Sequence, residues 1–291
     1  MKKILFCWGI ILGFSQYLPL AHASLQVVVS IPPQVYFVKQ IGGNFVDVMC
    51  MLSEGGSPHT YEPTAQQMKF LSKADVYVRI KIDFENAWWE KIIATNSDMH
   101  IVDSTHDIEF IDGNMHHHED HNEETSSHDK WDPHIWLSPR LVQIQAEHIY
   151  QGLVTADPEH QDIYKANKEA FVRSLKVLDN KIGAKFAKIK NRHFMVFHPV
   201  WSYFAKDYNL EQISIEFEGK KPSAKEMMEL MQIAKQKQIK VIFLQPQASR
   251  RTTDIIAKQI GAKVKILDPL APQWLENIHF VVDAFTEALS Q

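Results

Sequence analysis

At 291 residues and 45% apolar, the chain is long enough to bury one large core or two of ordinary size. A formal net charge of −4 at pH 7, with no basic block, excludes a surface built to neutralise nucleic-acid phosphates. Two cysteines exclude a disulfide framework, because Cys7 lies in an N-terminal apolar run and Cys50 stands alone in the rest.

Taken in order, Met1-Lys2-Lys3 precede an apolar run from Ile4 to Leu12, further apolar residues to Leu20, and the small-residue pattern Ala21-His22-Ala23. That is the pattern of a secretory signal peptide, so residues 1–23 are expected to be cleaved off after Ala23. The run falls short of the roughly 20 residues needed to span a bilayer, and Gln16 and Pro19 interrupt the apolar residues beyond it. Cys7 stands well before the cleavage position and does not mark a lipid anchor.

Gln26–Ile31 is β-branched and reads as a strand stopped by Pro32-Pro33. A short helix over Val35–Gly42 comes next, then a strand over Val46–Leu52, in which Cys50 reads as a buried thiol. The turn-forming run from Ser53 to Pro63 carries His59 and Glu62, and Thr64 is placed to cap the next helix through Leu71. Ala74–Ile80 is a third strand and Phe84–Ile93 a helix. Strands alternating with helices imply right-handed crossovers and a parallel sheet.

Residues 115–129 are almost devoid of apolar side chains. They hold His116, His117, His118, His121 and His128 among acidic residues, and are expected to form a solvated, mobile loop. Two readings stand for it: an auxiliary metal site weaker than any ordered one, or a low-complexity insertion. The next segment, Asp132-Pro133-His134-Ile135-Trp136-Leu137-Ser138-Pro139, sets one histidine between two prolines and reads as a rigid turn. A helix then runs from Pro139 to about Val154. From Pro158 to Lys190 apolar residues recur at helical spacing, which would give one helix ~50 Å long at ~1.5 Å per residue, a spine joining two lobes.

The alternation restarts at the strand Phe194–Phe197, which runs into His198-Pro199-Val200-Trp201 and an apolar helix. After these come a strand at Gln212–Ile215, a helix from Ser223 to Gln238, a strand at Lys240–Leu244 and a helix at Thr252–Ile260. The last strand, Lys263–Leu267, stops at Asp268-Pro269, and a helix closes the chain. The fold class is therefore α/β: two lobes, each a parallel sheet flanked by helices, joined by one long rigid helix.

His59, His198 and Asp268 each fall just past the C-terminal end of a strand, beside a proline, where open α/β sheets bind ligands. Together with His134 they offer three imidazoles and one carboxylate to a cleft between lobes, a four-coordinate set suited to Zn²⁺. One carboxylate against a dication would leave the site near +1, and imidazole-dominated sites favour zinc or copper over manganese. Each residue also has a purely structural reading: a proline-flanked histidine can serve packing, and a post-strand aspartate can cap a turn. Glu62, three residues after His59, reads either as a further ligand or as a cap of the next helix. Trp136 and Trp201 are expected to pack the cleft walls.

Ser57-Pro58-His59-Thr60-Tyr61-Glu62-Pro63, Asp132-Pro133-His134-Ile135-Trp136-Leu137, His198 before an aromatic helix, and Leu267-Asp268-Pro269-Leu270 resemble the metal-binding solute-binding proteins of ABC importers, in particular the zinc-binding branch. The resemblance spans nearly all of the chain after residue 23. It implies metal ligation by His59, His134 and His198, with Asp268 at a fourth position that varies among members. It also implies a periplasmic, non-catalytic zinc receptor that is a monomer and hands its ion to a membrane permease. The lobes would be residues 24–157 and 191–291, linked by 158–190. A manganese- or iron-type receptor of the same family is the alternative; the manganese-type relatives tend to carry a carboxylate where this chain has His198, and the His-rich loop is also typical of zinc members. The reading from another class, a secreted zinc hydrolase, needs an open coordination position and a general base. The chain has no His-Glu-x-x-His, and ligation by Asp268 would close the site.

Overall fold

The computed structural model describes residues 24–53, 55–113, 131–216, 220, 222–248 and 250–290. Residues 1–23, expected from the sequence to be a signal peptide, and all five histidines of the 115–129 tract lie outside the described residues.

Val27, Val28 and Val29 have no solvent exposure on either face, as a strand covered on both sides by helices requires. They form β1 (Leu25–Val29), which pairs in parallel with β2 (Val46–Cys50) on one side and β3 (Val76–Arg79) on the other. A fourth strand, β4 (His100–Asp103), pairs with β3 and completes the order β2-β1-β3-β4. The crossovers are α1 (Pro32–Gly42), α2 (Ala65–Leu71) and α3 (Asp83–Thr95). The second lobe repeats the plan with β5 (His193–Val196), β6 (Glu211–Ser214), β7 (Val241–Leu244) and β8 (Lys263–Ile266), in the order β6-β5-β7-β8. Its helices are α6 (Ser202–Asp207), α7 (Ala224–Gln236), α8 (Arg250–Ile260) and α9 (Trp274–Leu289).

Between the lobes run α4 (Pro139–Ala156) and α5 (Gln161–Phe186). A Cβ on Gly152 would overlap Val102, so the glycine lets α4 lie directly on β4. The expected unbroken helix over 158–190 is shorter than its pattern. Pro158–His160 forms a 3₁₀ turn, His160 leaves α geometry at φ −100° and ψ 13°, and the α-helix proper has 26 residues, about 39 Å. Nor does it stand free. Phe171, Leu175, Leu178, Ile182 and Phe186 belong to one apolar core that runs from the first sheet into the inner face of the second, where Phe243 and Phe285 pack. A smaller, separate core lies under α7 and α8 on the outer face, around Met195, Ile242 and Ile256.

Hydrogen bonds sew the lobes together across this core. Trp136 Nε1 donates to Pro269 O at 2.8 Å, Trp274 Nε1 to Trp136 O at 2.7 Å, and Tyr203 Oη to Asp132 O at 2.7 Å. Trp136 and Trp201 are each 1% exposed, so both serve as wall packing, as the sequence suggests. Among the described residues no helix is long and apolar enough to cross a membrane.

Candidate metal centre

Three imidazoles meet where the two sheets present their C-terminal edges. Donor atoms of His59, His134 and His198 all lie within 4.8 Å of one another, and no other such group of three His, Cys, Asp or Glu occurs among the described residues. His59 Nε2 and His198 Nε2 are 3.1 Å apart. A tetrahedral ion with metal–nitrogen bonds of ~2.0–2.1 Å sets its donors ~3.3–3.4 Å apart, so this edge needs only a slight expansion.

His59 sits in a turn closed by Thr60 N–H donating to Ser57 O at 3.2 Å. The loop is framed on one side by α2, whose N-cap Thr64 and Gln67 form a capping box, as the sequence leads one to expect for Thr64. On the other side Phe84 N–H donates to Pro58 O at 3.2 Å, tying the first turn of α3 to the residue before His59. His134 is held by an Asx turn: Asp132 Oδ1 accepts from the His134 backbone N–H at 2.8 Å and meets Nδ1 at 2.7 Å. His198 leaves β5 with its backbone clamped by the Gln245 amide, which accepts from His198 N–H at 3.4 Å and donates to His198 O at 2.8 Å.

Every one of the three rings has a carboxylate at Nδ1. Asp83 Oδ2 is 2.5 Å from His59 Nδ1, Asp132 Oδ1 2.7 Å from His134 Nδ1, and Glu216 Oε2 3.3 Å from His198 Nδ1. A proton held between Nδ1 and a carboxylate leaves Nε2 as the lone-pair donor, which is the tautomer a metal needs. The hydrogen bond to Asp83 lifts the His59 imidazole above the usual histidine range, against the effect of burial. Burial holds His198 below that range despite Glu216. Burial pushes the Asp83 and Asp132 carboxyls up, but the imidazoles beside them outweigh it and both sit below the usual range.

Asp268 is not part of the cluster. It lies just past β8 at the same sheet edge, where its Oδ1 accepts the Leu270 N–H at 2.9 Å, its carbonyl accepts from Asn277 Nδ2 at 2.7 Å, and burial raises its carboxyl. Glu62 is exposed on the loop and also stands outside the cluster. Sequence reasoning passed over Asp83 and Glu216, and gave Asp132 no role of its own. Asp83 comes after β3 and Glu216 after β6, so both meet the strand-end half of the rule that found His59 and His198, but neither has the neighbouring proline that singled those out. These carboxylates also revise the charge balance from one negative group to three beside the imidazoles.

Fold and cluster together define a two-lobed binding protein with an imidazole site at the junction of its lobes. The chain belongs to the family described as zinc-uptake complex component A, periplasmic (ZnuA), whose model matches residues 27–288. It is 33% identical over 266 residues to the zinc-binding protein AdcA of Streptococcus pyogenes serotype M3, covering 86% of this chain and 51% of that one. It thus spans about half the length of that relative. A crystal structure of ZnuA superposes with a TM-score of 0.85 at 41% identity, covering 92% of this chain and all of the other. A ZnuA deletion mutant with zinc bound gives 0.84 at 41% identity, covering 92% and 99%.

Proposed function

We propose that the protein captures Zn²⁺ in the periplasm, at the junction of lobes 24–157 and 191–291, and delivers it to the membrane permease of an ABC importer. The observation that carries this reading is the convergence of three carboxylate-backed imidazoles from three separate chain segments. His59, His134 and His198 are the ligands in this reading. Three nitrogen donors favour zinc over manganese, for which oxygen-rich sets are the better match. Membership of the zinc-uptake family and the zinc-bound ZnuA neighbour support the same cargo.

Asp268 is the proposed fourth ligand, with Glu62 or a water as the other occupants of that position. The 115–129 histidines would form a weaker auxiliary site, because each residue ordered around an ion costs ~1–2 kcal/mol of backbone entropy. No catalytic step is assigned: Asp83, Asp132 and Glu216 are engaged at Nδ1 atoms, and none is left as a general base for a metal-bound water. The protein would act as a monomer.

Diffraction from zinc-loaded crystals at the zinc absorption edge tests the assignment. The expected result is one dominant anomalous peak bonded to Nε2 of His59, His134 and His198. A dominant peak elsewhere, with those rings unligated, would overturn it.

A further inference from the structure

Glu85, the third residue of α3, is a charged side chain with no solvent exposure. Its carboxylate accepts from the Ile80 N–H at 3.0 Å, from the Lys81 N–H at 2.5 Å, from Tyr77 Oη at 3.4 Å, and from the Ser30 hydroxyl. The Arg79 guanidinium stands 3.8 Å away. These partners lie at the end of β1, on β3 and on the turn from β3 into α3. An apolar side chain would fill a buried position at lower desolvation cost, so what distinguishes a carboxylate here is the set of backbone groups it holds.

The turn it holds is unusual. Lys81 has φ +59°, a left-handed conformation that a lysine adopts only when its surroundings fix it. Ile82, the N-cap of α3, makes no side-chain capping bond, and Glu85 reaches back past it to the N–H groups of residues 80 and 81, so the clasp fixes the turn ahead of the helix. Asp83 and Phe84 lie between the two ends of this clasp. Both touch the His59 loop: Asp83 through Nδ1 of His59, Phe84 through the carbonyl of Pro58.

We propose that Glu85 is a positioning residue for the metal site: by clasping the β3–α3 turn it holds Asp83 where its carboxylate fixes His59 as an Nε2 donor. The inference rests on the reading of His59 as a zinc ligand. Burial pushes the Glu85 carboxyl up to about 7, against the hydrogen bonds it accepts, which marks how fully the clasp is removed from water.

The test is a double-mutant cycle on the full chain, with zinc affinity read by competition against a chelator. Loss of a carboxylate behind a ligating imidazole typically weakens metal binding about 10–100-fold. Glu85→Gln and Asp83→Asn are each expected to weaken zinc within that range. The double variant is expected to be no weaker than the worse single one, because both act through the same ring. In parallel, ¹⁵N spectra of the metal-free protein should show His59 as the Nδ1–H tautomer, and as a mixture of tautomers in Glu85→Gln. If the two losses multiply, or if Glu85→Gln folds and binds zinc as the parent does, the positioning role is wrong. Should Glu85→Gln fail to fold, Ser30→Ala and Tyr77→Phe each remove one partner of the clasp. Their effect on affinity should then vanish in the Asp83→Asn background, and its persistence there would overturn the proposal. His59→Ala separates the two levels: if that variant keeps parental affinity, the ligand assignment itself fails.

Discussion

A bare histidine is an indifferent metal ligand, since it can present either ring nitrogen and is protonated near neutral pH. His59, His134 and His198 are made specific by Asp83, Asp132 and Glu216, and the three pairs are not equivalent. The Asp83 hydrogen bond raises His59, whereas burial lowers His198, so on acidification protons reach His59 first. In the metal-free protein the His59–Asp83 pair therefore contributes its stability in full below the unfolded histidine value of ~6.5, down to the pH at which the Asp83 carboxylate takes up its own proton. That contribution is lost as pH rises through the elevated folded value. His198 contributes in the opposite sense, favouring the folded state above ~6.5 and less as pH falls through its depressed value. In the proposed site zinc would need all three rings neutral, so affinity should fall on acidification, beginning at the elevated value of His59. Asp83→Asn should move that onset to lower pH while weakening zinc at high pH. Zinc affinity measured as a function of pH checks this, and an unshifted profile in the variant would contradict it.

At the scale of elements, the local signals were strong where polar punctuation is chemical. Thr64 and Ser223 cap α2 and α7 through boxes with Gln67 and Glu226, and both caps are readable from the residue types alone. Removing the α7 cap with Ser223→Ala should cost about 1 kcal/mol in denaturant unfolding and leave zinc affinity unchanged, because α7 lies over the outer core away from the imidazoles. A zinc defect in that variant would mean the outer layer couples to the site. What could not be read was shorter or longer than its pattern. β4, His-Ile-Val-Asp, has polar residues at both ends of a two-residue apolar core and no proline or glycine stop after it, and only its pairing with β3 makes it a strand. The helix expected over 158–190 shows apolar spacing throughout, yet the break at His160 depends on backbone angles that spacing does not encode. The three clustered histidines were legible because a neighbouring proline marks each, and a preceding strand marks His59 and His198. Two of their carboxylate partners come from other elements, 24 residues away for Asp83 and 18 for Glu216, and only the folded sheet edges bring them in.

For the whole molecule, the governing feature is that the lobes share a core. Phe186 on α5 packs edge-on against Phe204 of α6, and the Trp136–Pro269 and Trp274–Trp136 hydrogen bonds cross the same seam. Swinging the lobes apart would expose that apolar surface and break buried hydrogen bonds, so loading and release should proceed by local shifts at the sheet edges. Solution scattering profiles of the metal-free and zinc-loaded protein should accordingly superpose, and a compaction typical of hinge closure would contradict a rigid frame. The central claim, that the tight site lies between the lobes and not in the His-rich tract, is tested most directly by calorimetric zinc titration. The proteins to compare are the chelator-stripped parent, His59→Ala, His134→Ala and a deletion of residues 115–129. One tight site that survives the deletion and disappears in each point variant is the expected result. Tight binding that vanishes with the tract and persists without His59 or His134 would contradict it.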